Sequence, residues 1–234
     1  MILVFFSIIA SSNLYNHANA EYESGNYYQA IDLYEKAGQE TKNANIYYNL
    51  GNAYFKTRQT GMAIKNYRLA YFLAPRDPDV KHNLLYARTF RVDKINVSVN
   101  PIAIMIDRIF RSISLYQAQV LSAVIIILIA IFIAGYVVFR RRSFLYITFG
   151  LALLALFCFM TWASWSSEKN RQPAVVIVPE ASTLSGPAED YREIVKVHDG
   201  MEANIRDERN GYYLIQLPGG IGGWIRKDAV IRIF

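Results

Sequence analysis

Two stretches without a charged side chain, Val120 to Phe139 and Phe144 to Trp165, limit the folds open to this chain more than any other feature. Each is long enough to cross a hydrocarbon core as a helix. In lipid every backbone amide must be satisfied within the segment, so a helix is the form such a stretch takes. Only Arg140-Arg141-Arg142-Ser143 lies between the two. The spans therefore predict a tight hairpin: a first membrane helix over 119–139, a loop over 140–143 and a second helix over 144–166. Arg140, Arg141 and Arg142 are expected to hold that loop in the cytoplasm, because short loops rich in arginine stay there. Trp162 and Trp165 end the second span, where interfacial aromatics belong. A hairpin returns the chain to the side it left, so both flanking segments are expected to face away from the cytoplasm.

The spans also account for the composition. Of 234 residues, 53% are hydrophobic, and the net charge is +6. Much of the basic excess sits beside the spans, where Lys and Arg set topology and meet anionic lipid. No aromatic-basic stripe or recognition helix accompanies it, so a nucleic-acid partner is not expected. Cys158 is the only cysteine, and His17, His82 and His198 are scattered. Metal-ligand spacing is missing, and neither a metal nor a cofactor is expected. Met1 to Ala10 is a short apolar run ending in Ala10-Ser11-Ser12. Residues 1–12 read as the remnant of a secretory signal; the alternative is the apolar face of a first helix.

From Asn13 to Pro75 the periodicity is helical and repeats. Ala30, Tyr34 and Ala37 recur as Ala63, Tyr67 and Ala70, each pair about 33 residues apart. Gly25 and Tyr27 belong to the first copy; Tyr47, Leu50, Gly51, Tyr54 and Pro75 belong to the second. This period and pattern resemble the tetratricopeptide repeat, a helix-turn-helix unit whose stacked array binds other proteins. Gly25-Asn26 and Thr57 to Gly61 are expected as the turns within the repeats, Gly38 as the end of the first and Pro75 as the end of the second. Asp77-Pro78-Asp79 then caps a further helix from Val80 to about Arg91. Its polar residues would cover the open end of the array, so that the repeat region spans 13–96. Pro101 to Gln117 mixes Ile102, Met105, Ile106, Ile109 and Phe110 with Asp107, Arg108 and Arg111. This predicts an amphipathic juxtamembrane helix over 101–118, lying on the bilayer surface or packed against the repeats.

Residues 167–173 form a polar linker, after which the period changes to two. Six short strands are expected between turns such as Asp199-Gly200 and Asn210-Gly211: 174–178, 192–197, 201–206, 211–217, 222–226 and 229–233. Short strands in so small a segment predict a small barrel over 174–234. Ser185-Gly186-Pro187, Val197-His198-Asp199-Gly200, Asn210-Gly211-Tyr212-Tyr213 and Gly222-Gly223-Trp224-Ile225 resemble the bacterial SH3-like domain. That resemblance implies binding of peptides or cell-wall material and no catalytic residues. The expected fold is thus a multidomain membrane protein: a tetratricopeptide solenoid, a two-helix transmembrane hairpin and a small all-β SH3-like barrel.

The whole order, with Asp77-Pro78-Asp79 and His82-Asn83-Leu84 before the hairpin, resembles the E component of the Bacteroides aerotolerance (Bat) family. The resemblance implies a membrane component grouped with von Willebrand factor A-type membrane proteins and a MoxR-type ATPase, serving assembly or envelope-stress tolerance.

No catalytic constellation emerges. Gly219-Gly220-Ile221-Gly222-Gly223 has no following helix and no Lys-Ser/Thr pair, so it is a turn rather than a phosphate loop. Ser, His and Asp in the C-terminal segment lack a nucleophile motif. An enzyme is not expected. The candidate site is the concave face of the repeats: Tyr15, Asn19 and Tyr22, then Tyr48, Asn52, Phe55 and Lys56, then Lys81, Leu85 and Arg88. Asn side chains can hold an extended peptide backbone, and Lys and Arg attract carboxylates. The set partly resembles the carboxylate clamp of some tetratricopeptide domains at Asn19, Asn52 and Lys81, with Tyr15 and Leu85 in place of two basic positions. A second candidate is an aromatic groove in the C-terminal domain made of Tyr191, Tyr212, Tyr213 and Trp224. The expected function is a membrane-anchored scaffold with protein partners, von Willebrand factor A-type proteins among them. The alternative is an accessory subunit that binds peptidoglycan and brings a partner to the cell wall.

Overall fold

The computed structural model describes residues 2–94 and 100–234, with side chains from Ser12 onward. Met1 and the last two residues of the expected 13–96 repeat region lie outside the described residues. The chain forms two compact units, Met1–Ser98 with Arg171–Phe234, and Val99–Asn170.

The first unit begins with five helices. α1 (Ile2–Glu23) and α2 (Tyr27–Glu40) form one hairpin, α3 (Ala44–Lys56) and α4 (Thr60–Leu73) a second, and α5 (Pro78–Thr89) follows alone. The backbone of the segment read as a signal remnant is part of α1. Gly25 makes the first turn at φ +80°, a conformation that costs glycine little. Small residues let the helices approach closely. A Cβ on Gly51 would meet the Tyr67 ring at 2.7 Å. Ala18, Ala30, Ala37, Ala53, Ala63 and Ala70 are buried, with Tyr34 and Tyr67 filling the spaces between helices. Gly38 does not end α2, which runs on to Glu40. Its bare backbone instead faces the Tyr47 ring, 3.5 Å from where a Cβ would stand. Asp77 caps α5 as expected, accepting from the amides of Asp79 at 2.9 Å and Val80 at 3.2 Å.

The same unit continues after residue 171 as seven strands: β1 (Pro173–Val176), β2 (Glu180–Leu184), β3 (Glu193–His198), β4 (Glu202–Arg209), β5 (Tyr212–Gln216), β6 (Gly222–Arg226) and β7 (Val230–Arg232). They form one antiparallel sheet in the order β3-β2-β6-β5-β4-β1-β7. The sheet is open, with β3 and β7 at its edges, where the strand pattern predicted a closed barrel. β2 pairs with β6 only at Leu184 and Trp224. β2 was not expected: Glu-Ala-Ser-Thr-Leu lacks the β-branched alternation that announces a strand.

Sheet and helices share a core. Val175 and Ile233 pack within the buried cluster of α1–α5, and the rings of Phe72 and Phe234 lie 5.0 Å apart. Gly61 allows this approach, since a Cβ there would stand 2.2 Å from the Val176 carbonyl oxygen. The start of α4 has no cap from its own Gln59. Asp199, from the β3–β4 turn, supplies one by accepting from the Gly61 amide at 2.9 Å. Glu202 joins three arginines of the helical half: Arg88 at 2.7 Å, Arg68 at 3.1 Å and Arg91 at 3.3 Å. Asp93 accepts from the His198 amide at 2.7 Å and lies 2.9 Å from its Nδ1. The 167–173 linker therefore does not separate two independent modules.

The second unit holds α6 (Pro101–Phe110), α7 (Leu115–Phe139) and α8 (Arg142–Asn170). α7 and α8 are long and apolar enough to cross a membrane, with mean hydropathies of 2.9 and 2.2 and only 6% and 11% of those windows buried. The turn between them is shorter than expected, since Arg142 already belongs to α8. Arg140 makes it in the left-handed conformation, φ 55°. Phe144 then folds back over Gly135, where a Cβ would meet its ring at 2.5 Å. The amphipathic segment expected over 101–118 is divided. α6 stops at Phe110, and Ser114 opens α7 with a capping box, Ser114 and Gln117 each accepting from the other's amide.

Candidate partner-binding surface

The odd-numbered helices carry a hydrogen-bond unit that occurs twice. Asn19 Oδ1 accepts from Tyr34 Oη at 2.6 Å and from Asn49 Nδ2 at 3.1 Å. The same Nδ2 also donates to Tyr15 Oη at 3.0 Å. In the next copy Asn52 Oδ1 accepts from Tyr67 Oη at 2.8 Å and Asn83 Nδ2 at 2.9 Å, while Asn83 donates to Tyr48 Oη at 3.0 Å. Asn49 thus ties α3 to α1, and Asn83 ties α5 to α3. Burial, followed by the neighbouring phenols Tyr15 and Tyr48, pushes Tyr34 and Tyr67 well above the usual phenol range. Both hydroxyls remain donors throughout the physiological range. Asn49 was not singled out from the sequence, although it directly follows Tyr48, and Asn83 was noted only within His82-Asn83-Leu84.

This network changes the expected groove. The oxygens of Asn19 and Asn52 are spent inside the array, where the sequence suggested a hold on a partner's backbone. On α5 the expected residues are shifted. Ile46, Leu50 and Ala53 of α3 correspond in burial to Val80, Leu84 and Ala87 of α5, an offset one residue longer than that between the first two copies. One extra residue rotates a helix by about 100°. The positions matching Tyr48, Asn52, Phe55 and Lys56 are therefore His82, Tyr86, Thr89 and Phe90, rather than the expected Lys81, Leu85 and Arg88. Arg88 turns away to Glu202. Lys56 and Lys81 are exposed, while the Oδ1 atoms of Asn19 and Asn52 are engaged within the array.

What α3 and α5 do share is an aromatic strip. Phe55 lies 5.7 Å from Tyr86 and 5.1 Å from Phe90, centroid to centroid. Tyr86 lies 5.0 Å from Phe90, and His82 stacks on Tyr86 at 6.3 Å. Tyr86 is 50% exposed and Phe90 54%. Tyr15, Tyr22 and Tyr48 continue the half-buried aromatic surface along α1 and α3.

The second expected groove is not a single surface. Tyr212 and Tyr213 are successive residues of β5 and point to opposite faces. Tyr213 packs against the sheet's core beneath Arg232 and Lys227, 5.1 and 5.4 Å from its ring. Trp224 meets the Arg209 guanidinium at 5.9 Å. Tyr191 is exposed and covers Gly186. Of the four, Tyr212 alone lines the opening of about 450 Å³ between β2 and β6, together with Leu184, Glu189, Ile225, Arg226 and Asp228. This opening lies where β2 and β6 diverge below their single pairing.

Among the described residues no cluster of His, Cys, Asp or Glu has metal-binding geometry. No family model and no curated protein matches the chain.

Proposed function

We propose that this protein is a membrane-anchored protein-interaction scaffold of the Bat type, with tetratricopeptide-like repeats and an SH3-like sheet. The observation that carries the reading is the exposed strip of Phe55, His82, Tyr86 and Phe90. Contiguous exposed aromatics beside polar residues are what a partner-binding surface offers. Repetition of the Asn-Tyr unit supports a stacked array, which presents such a strip on a stiff frame.

The same reading assigns the topology. Helices before the hairpin and strands after it pack into one domain, so they occupy one side of the membrane. Two crossings satisfy that requirement. Arg140, Arg141 and Arg142 favour the cytoplasm for the loop, which leaves the domain on the periplasmic side of a bacterial inner membrane. Partners are then membrane or periplasmic proteins, with von Willebrand factor A-type proteins of the same system as the expected class, in assembly or stress tolerance.

In-cell photo-crosslinking from a probe replacing Tyr86 tests this, with a probe at exposed Tyr28 as the control. A discrete membrane or periplasmic protein captured only from position 86 supports the scaffold. Cytoplasmic captures overturn the topology, and equal patterns from both positions overturn the site. The opening beside Tyr212 favours a second reading, peptidoglycan binding. Full-length protein retained on purified sacculi, and released by Tyr212→Ala, would favour it. The isolated 173–234 segment is unsuitable, because it would bare Val175 and Ile233 and leave Glu202 without its arginines.

A further inference from the structure

α6 is held firmly on one side and bare on the other. Phe110 packs on Phe157 of α8, with ring centroids 5.6 Å apart. Arg111 lies 5.2 Å over the Trp165 ring, 3.0 Å from Ser164 Oγ and 3.4 Å from Glu168. Asp107 pairs with Arg111 at 2.8 Å and accepts from Ser164 Oγ at 3.3 Å. The buried Trp165 indole donates to the Ile113 carbonyl at 3.0 Å. These contacts fix both the height of α6 along α8 and its rotation. The height is where α8 passes from Phe157 and Trp162 to Glu168-Lys169-Asn170, that is, where an apolar span meets polar surroundings.

Rotation leaves Ile102, Met105, Ile106 and Ile109 together on the outer arc, 62%, 56%, 47% and 47% exposed. Spacings of three and four residues put them on one helix face. We propose that this face of α6 is docked in one leaflet of the bilayer, making α6 an interfacial helix rather than a site for protein. Continuity selects lipid as the occupant. The outer surface of α8 at the same level, including Leu156, Phe159, Met160 and Trp162, is itself exposed and apolar. The acyl chains that cover α8 meet the α6 face without a break. Arg108, exposed at the edge of this arc beside Ile104 and Met105, is placed to reach phosphates, as in helices lying in the interface. The assignment rests on the proposed membrane span of α7 and α8, and not on which partner the aromatic strip binds.

The test uses full-length protein carrying Cys158→Ala, reconstituted in phosphatidylcholine–phosphatidylglycerol vesicles. Ile106→Cys, Met105→Cys and Arg108→Cys are each labelled with an environment-sensitive nitrobenzoxadiazole dye. Vesicles contain lipid spin-labelled either near the headgroup or near the chain end. An interfacial helix sits about 5–10 Å into the headgroup–acyl boundary, so dyes at 105 and 106 should emit in the blue. Headgroup-proximal spin labels should quench them more strongly than chain-end labels, while a dye at 108 stays water-like. Water-like emission at 105 and 106 overturns the proposal. So does a blue-shifted emission that no lipid spin label quenches, which means a protein surface, such as a second copy, covers the face.

Discussion

Replacing Glu202 with alanine should loosen the joint between the helices and the sheet. Its carboxylate is 13% exposed and faces three guanidiniums at 2.7, 3.1 and 3.3 Å. Alanine removes the buried carboxylate that these three cations share. Removing one partner from a buried ion pair costs about 3–5 kcal/mol. Domains of this size shift by roughly 2–4 °C per kcal/mol, so the midpoint should fall by about 6–20 °C. The assay is thermal melting of full-length protein in detergent, read by proteolytic release of fragments from 60–94 and 173–234, which the membrane helices do not mask. Arg232→Ala, which breaks a half-exposed pair with Glu208 at 3.0 Å, is the control and should cost under about 1 kcal/mol. The reasoning also fixes a pH dependence. Burial alone would raise Glu202, but Arg88, Arg68 and Arg91 together hold it below the usual 4.5. A depressed folded pKa gives stability that is complete above the unfolded value and lost as pH falls through the folded one. The gap between wild type and Glu202→Ala should therefore close below pH 4.5. A Glu202→Ala midpoint no lower than that of Arg232→Ala would refute the ion cluster as the joint.

Asn52→Ala strands the Tyr67 hydroxyl and leaves the Asn83 amide its bond to Tyr48, so it should destabilise the domain by about 1–3 kcal/mol. Lys56→Glu, on an exposed side chain, should stay within about 0.5 kcal/mol. Gly61→Ala puts a methyl against the Val176 carbonyl and the Asp199 carboxylate; overpacking of this kind costs about 1–3 kcal/mol. Hydrogen exchange should then rise in β1 and at the start of α4, and an unchanged pattern there would contradict the close approach. Converting Arg140, Arg141 and Arg142 together to glutamate should reduce protease accessibility of residues 173–234 from the periplasmic face of spheroplasts, because the loop loses its cytoplasmic preference.

The repeats could be read from sequence because small residues and tyrosines recur on a fixed interval, and steric fit between helices demands those types at those places. The apolar spans were legible for a simpler reason, since no water-facing helix lacks charge for so long. The misplacement of Lys81 and Arg88 came from carrying one interval past Pro75, where the chain takes one more residue before α5. β2 escaped notice because its residues are mostly polar and carry no β-branched alternation. The shared core was not legible at all. Arg68, Arg88 and Arg91 read as surface charges until Glu202, more than a hundred residues onward, is brought beside them.

That joint makes the folded domain discontinuous along the chain, and this constrains its biogenesis. As the polypeptide is made, the five helices emerge first, before Glu202 has reached Arg68, Arg88 and Arg91 and with the seat for Val175 and Ile233 empty. On the proposed topology, they wait until α7 and α8 have been integrated and the last strands have been delivered to the same side of the membrane. A chain that inserted one span instead of two would strand the halves on opposite sides of the bilayer, and the domain could never close. On that topology correct integration is a precondition of folding, and a misinserted copy announces itself to proteases by the half-domain it leaves exposed.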